Sequence, residues 1–150
     1  MERDDVVETL NDLIENCKDG EYGFRTCSEH AKSAELKRVF SQRAGECQQG
    51  ASELQSLVSR FGGTPDTTGT ASGAAHRGWI AVRAALALND DQAMLNECER
   101  GEDIALNRYR KALEEDLPVE VEQVVRRQYD GARRNHDQIK ALRDSNKTIA

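Results

Sequence analysis

The sequence predicts an all-α protein, a single domain over residues 1–150 built from four long amphipathic helices. Three observations predict it. Helix-favouring residues (Ala, Leu, Glu, Arg, Gln, Lys) are abundant, whereas the 150 residues include only two Pro, three Phe and three Tyr. No stretch alternates apolar and polar residues as a half-buried strand does. Apolar residues instead recur at steps of three and four along four long segments. A chain of this length can bury a core without disulfides.

The first helix is expected from about Asp5 to Ala31, capped by Asp4 or Asp5, with acidic residues suiting the positive end of its dipole. Its apolar stripe is Val6, Leu10, Leu13, Ile14, Cys17, Phe24 and Cys27. Ser33 is placed to cap the second helix, whose stripe runs through Leu36, Phe40, Ala44, Cys47, Ala51, Leu54 and Val58. Gly62-Gly63-Thr64-Pro65 stops it. A Gly-, Thr-, Ser- and Ala-rich stretch to Ala75 reads as a loop, and the apolar segment from Trp79 to Leu88 as a short buried helix. Asn89-Asp90 starts the third long helix, with Met94, Leu95, Cys98, Ala105, Tyr109 and Leu113 on its stripe. Pro118 opens the fourth, which carries Val121, Val124, Val125, Ala132, Ile139 and Leu142.

Spacing adds the connectivity. Helices one and two, and helices three and four, are joined by a few residues, which makes antiparallel hairpins. About thirty residues join the second to the third. Two hairpins and one long crossover, holding a short extra helix, are the ferritin-like connection.

Charge narrows the function classes. Charged residues make up 32% of the chain with a net charge of −6, both signs interspersed. An acidic balance argues against nucleic-acid binding, which needs a basic footprint, and against an anionic membrane surface. The cluster Arg126-Arg127 with Arg133-Arg134 is diluted by nearby acids and reads as a solvated helix face. No apolar run is long enough to span a bilayer, and the first residues lack a signal-peptide core, so a bacterial-type cytoplasmic location is expected. Cys17, Cys27, Cys47 and Cys98 have no zinc-ribbon spacing and read as small core residues. A sharper alternative has Cys47 and Cys98 meeting across the core. There is no Ser-His-Asp pattern and no phosphate loop.

Polar residues that fall on apolar stripes are the strongest functional signal, because burying them has a cost. Glu21 lies one helical step from Cys17 and Phe24, and Glu102 one step from Cys98. Glu46 and Gln49 flank the second stripe and Glu99 flanks the third, while Gln128 and His136 lie on the fourth helix. Glu21, Glu46 and Glu102 fall near the middle of their helices, with His136 about a turn beyond the middle of its own. Glycines gather close by at 20, 23, 50 and 101.

Four segments carry a resemblance: Lys18-Asp19-Gly20-Glu21-Tyr22-Gly23-Phe24, His76-Arg77-Gly78-Trp79, Glu99-Arg100-Gly101-Glu102-Asp103 and His136-Asp137-Gln138-Ile139-Lys140-Ala141-Leu142-Arg143. In that order they resemble an uncharacterised bacterial ferritin-like four-helix-bundle family, distantly similar to rubrerythrin and ferritin. In di-iron members two helices give one Glu each and two give a Glu-x-x-His pair. The resemblance therefore implies metal ligands at Glu21, Glu46, Glu102 and His136, with Glu99 and Gln49 as second choices. Gln49 stands where a His is expected, however, and Arg133 where a Glu is expected. Two expectations follow. One is a non-catalytic, self-associating bundle, partner-binding or stress-associated, whose Glu21 and Glu102 pair with Arg43 or Arg133. The other is a degenerate centre holding one iron, manganese or zinc ion, with peroxide- or iron-handling activity.

Overall fold

A computed structural model describes residues 2–65 and 90–149. Four helices follow in order: α1 (Arg3–His30), α2 (Ala34–Arg60), α3 (Asp91–Leu113) and α4 (Val119–Ile149). No strand occurs among the described residues. The protein is an all-α four-helix bundle, as the stripes predict. The short helix expected between Trp79 and Leu88 lies outside the described residues.

Side-chain pairs set the directions. Gly20 meets Cys47 while Gly63 meets Val7, so α1 and α2 are antiparallel. Tyr109 reaches Gln128 and Glu102 reaches Asn135, so α3 and α4 are antiparallel too. Thr9 bonds Glu115 near one end of α1, and Cys27 meets Cys98 near the other, so α1 runs against α3. The order is up, down, down, up. Because α2 and α3 run the same way, α3 begins at the opposite end of the bundle from where α2 ends, about 40 Å away for helices of this length.

The joints follow from local chemistry. Ser33 caps α2 by accepting from the Leu36 N–H. At its far end Gly62 takes a positive φ of 76°, and the Gly62 and Gly63 amides donate to Ser59 and Val58 carbonyls, a glycine-dependent stop. Asp90 caps α3 by accepting from Gln92 and Ala93. The next residue, Asp91, accepts from the amides of Lys32 and Ser33 and so ties α3 to the α1–α2 joint. The Pro118 carbonyl accepts the first bonds of α4. At the start of α1 the expectation needs correction: the helix begins at Arg3, Glu2 holds the cap position without a side-chain bond, and Asp4 and Asp5 lie in the first turn.

The core divides in two. Near one end Leu10, Leu13 and Ile14 pack with Leu54, Val58, Val121 and Val125. Near the other, Phe24 and Phe40 stack at 6.3 Å beside Met94, Leu95 and Ile139. Along every helix, the residues between these clusters include glycine or a polar side chain, and there the candidate site lies.

Candidate functional site at the middle of the bundle

Glu102 continues the stripe of Cys98, Ala105 and Tyr109 and is only 1% exposed. Such a carboxylate needs partners. Arg43 of α2 supplies a fork: its Nε donates to Oε1 at 2.8 Å and an Nη to Oε2 at 3.3 Å. Asn135 of α4 adds a third donor, its Nδ2 lying 2.8 Å from Oε1. Arg43 is itself mostly buried and lies over the Phe24 ring. The expected pairing of Glu102 with Arg43 is therefore present, across the divide between the two hairpins. Removing one member of such a pair strands the other charge.

A second network lies beside it. The Tyr109 hydroxyl donates to Gln128 Oε1 at 3.0 Å, which leaves the Cys17 thiol, 3.5 Å away, as donor to the phenol oxygen. Gln128 Nε2 in turn donates to the Gly50 carbonyl and to Glu53, and Arg127 holds the other Glu53 oxygen at 2.6 Å. All four helices contribute to this layer.

A cavity of about 190 Å³ opens between the networks, bounded by Cys17, Gly20, Cys47, Gly50, Glu102, Tyr109 and Gln128 among others. Close packing explains one of its glycines. A Cβ at Gly20 would lie 3.0 Å from the Cys47 sulfur, whereas one at Gly50 would make only an ordinary contact, 3.4 Å from the Cys17 sulfur. Burial pushes the Cys17, Cys47 and Cys98 thiols and the Tyr109 phenol above their ordinary values. They are neutral at pH 7, so none is poised as nucleophile or base.

The expected ligands do not gather at one point. Glu102 is in the layer, and Glu46 stands at its rim, 53% exposed and 3.9 Å from Arg43. Gln49 also borders the cavity. Glu21, only 21% exposed, pairs with Arg25 one turn along α1. His136 lies between α3 and α4, with its Nε2 2.8 Å from Asp103 and 3.7 Å from Glu99. Among the described residues, Glu99, Asp103 and His136 are the one group of three potential ligands whose donor atoms lie within 4.8 Å of each other. Donor atoms of Glu21, Glu46, Glu102 and His136 thus form no group within 4.8 Å of one another among the described residues. Asn135 and Asp103 are the residues that sequence reasoning missed. Asn135 had a signal, lying three after Ala132 and four before Ile139 on the buried stripe.

Two smaller corrections belong here. Cys98 has Cys27 as its sulfur neighbour at 3.6 Å, whereas Cys47 packs on Gly20. Arg133 pairs with neither Glu21 nor Glu102; it lies over the Tyr129 ring. His76, Arg77 and Trp79 lie outside the described residues.

Residues 5–115 match a family described as Domain of unknown function (DUF2383), a span that begins in α1 and ends just past α3. No curated protein matches the chain.

Proposed function

We propose, for a chain that belongs to the DUF2383 family, that the bundle is a non-catalytic protein of the ferritin-like kind, partner-binding or stress-associated. In this reading an ion pair takes the height at which di-iron members hold metal. The observation that supports it is the saturation of Glu102, whose two oxygens accept three hydrogen bonds from Arg43 and Asn135. A cation drawn to Glu102 must displace a buried guanidinium or lie beside one, and breaking such a pair costs about 3–5 kcal/mol. The neutral thiols and phenol offer no base in compensation. The single long crossover between two hairpins supports the ferritin-like relationship. Gln49 and Arg133, at positions where that relationship implies ligands, support the loss of a di-iron centre.

The test is elemental analysis after anaerobic loading with Fe(II), Mn(II) or Zn(II) and desalting, together with a peroxide assay. The expected result is that any retained metal is the same in the parent and in folded Glu102→Gln, with no peroxide turnover. Metal that disappears in Glu102→Gln while circular dichroism stays native would overturn the proposal. So would peroxide turnover that this substitution abolishes. Self-association belongs to the same reading and is expected in sedimentation at micromolar concentration. A monomer throughout would remove that part.

A further inference from the structure

The outer edge of the α3–α4 hairpin holds a second cluster that shares no residue with the mid-bundle layer. Glu99 and Asp103 stand one turn apart on α3, and His136 faces them from α4. Glu99 and His136 are mostly buried, and Asp103 is open to solvent. Both carboxylates are directed at the same ring nitrogen, Nε2, at 3.7 and 2.8 Å, and the three donor atoms lie within 4.8 Å of one another.

We propose that Glu99, Asp103 and His136 bind one divalent first-row transition-metal ion of the zinc type. One imidazole and two carboxylates are borderline nitrogen and oxygen donors, the set that suits zinc, manganese, iron or cobalt rather than a soft ion. Donors held about 2.0–2.2 Å from such an ion stand roughly 3.0–3.5 Å apart. The two spacings to Nε2, 2.8 and 3.7 Å, bracket that range, and the two carboxylates lie within 4.8 Å of each other, within reach of side-chain rotation. Three protein ligands leave further coordination positions to water through the open Asp103 side.

The residues behind the ligands support them. Asp137 Oδ1 lies 3.2 Å from Nδ1 of His136, which orients the ring and leaves Nε2 toward the two acids. Arg143 holds the Oε2 oxygen of Glu99, so that Oε1 faces the ring. The charge is unbalanced as well: Glu99, Asp103, Asp137 and Asp144 stand against Arg143 and one imidazole. A divalent cation reduces that excess.

The test titrates chelator-stripped, reduced full-length protein with Zn(II) by calorimetry and with Co(II) by visible absorption. About one ion per chain is expected, with cobalt d–d bands and no thiolate charge-transfer band. His136→Ala and Asp103→Asn should each weaken binding at least about tenfold, Asp137→Asn about tenfold, and the distant surface change Glu122→Gln not at all. Asp103, Asp137 and Glu122 sit at helix surfaces while His136 is mostly buried, and circular dichroism checks that all four variants fold. The proposal is overturned by a parent that binds no ion, by equal affinity in His136→Ala, or by a thiolate band, which places the ion on the cysteines. A parent that binds no ion, or equal affinity in His136→Ala, leaves Glu102 untouched, so the site and the mid-bundle reading fail separately.

Discussion

A carboxylate as buried as Glu102 is tolerated because three donors meet it, and the dependence runs both ways. Arg43→Ala or Glu102→Ala should each cost about 3–5 kcal/mol in urea unfolding, since each strands a charge. Replacing both at once, Arg43→Met with Glu102→Leu, should cost far less than the sum of the single changes; an additive double variant would refute the pairing. The buried thiols and Tyr109 make a second prediction. Their folded values are raised by burial, so the folded chain keeps protons that the unfolded chain releases above about pH 8.5. Stability is therefore complete below that pH and falls as pH climbs toward the folded values. The urea midpoint should drop between about pH 8 and about pH 10, with a shallower slope in Cys47→Ala. At this scale the sequence was legible where a stripe residue carried its own signal, as Glu102 did. It misled where the inward position was glycine. Gly20 faces Cys47, but glycine has no hydropathy, so its neighbour Glu21 looked like the inward group. Asn135 and His136 exchanged places in the same way: a rotation of about 100° per residue separates them, which a stripe read at steps of three and four resolves poorly.

Helix ends were the most legible elements, because capping chemistry is local. Ser33, Gly62, Asp90 and Pro118 each act at the joint where its residue type implied a boundary. The start of α1 was less legible, since Asp4 and Asp5 suit either a cap or a first turn. The bond that sequence could not offer is Asp91 to Lys32 and Ser33, made across 58 and 59 residues of chain. Asp91→Ala should lower stability by about 1–3 kcal/mol in thermal or urea unfolding, through two amides left without their carboxylate. Glycines inside helices separate by what surrounds them. Gly45→Ala meets nothing within 4 Å and should stabilise by about 1 kcal/mol, the helix-propensity gain. Gly20→Ala places a methyl 3.0 Å from the Cys47 sulfur, and its overpacking cost of about 1–3 kcal/mol should cancel or exceed the same gain. Equal effects at the two positions would contradict this account of the cavity wall.

For the whole molecule, hairpins and crossover were readable from spacing alone, because short joints force antiparallel neighbours and a long one permits a parallel pair. The rotation of one hairpin against the other was not readable. It decides whether polar groups from different helices converge, and it is set by contacts such as Arg43 with Glu102 that no single stripe encodes. Those contacts also determine which halves belong together. Residues 2–65 carry the guanidinium, and residues 90–149 carry the carboxylate. Two copies of the first half docked on each other would bury guanidinium against guanidinium, and two copies of the second would bury carboxylate against carboxylate. Only unlike halves match. A chain severed within the crossover should therefore reassemble from its two fragments as a one-to-one complex, and the same complementarity would let two intact chains exchange halves without mispairing.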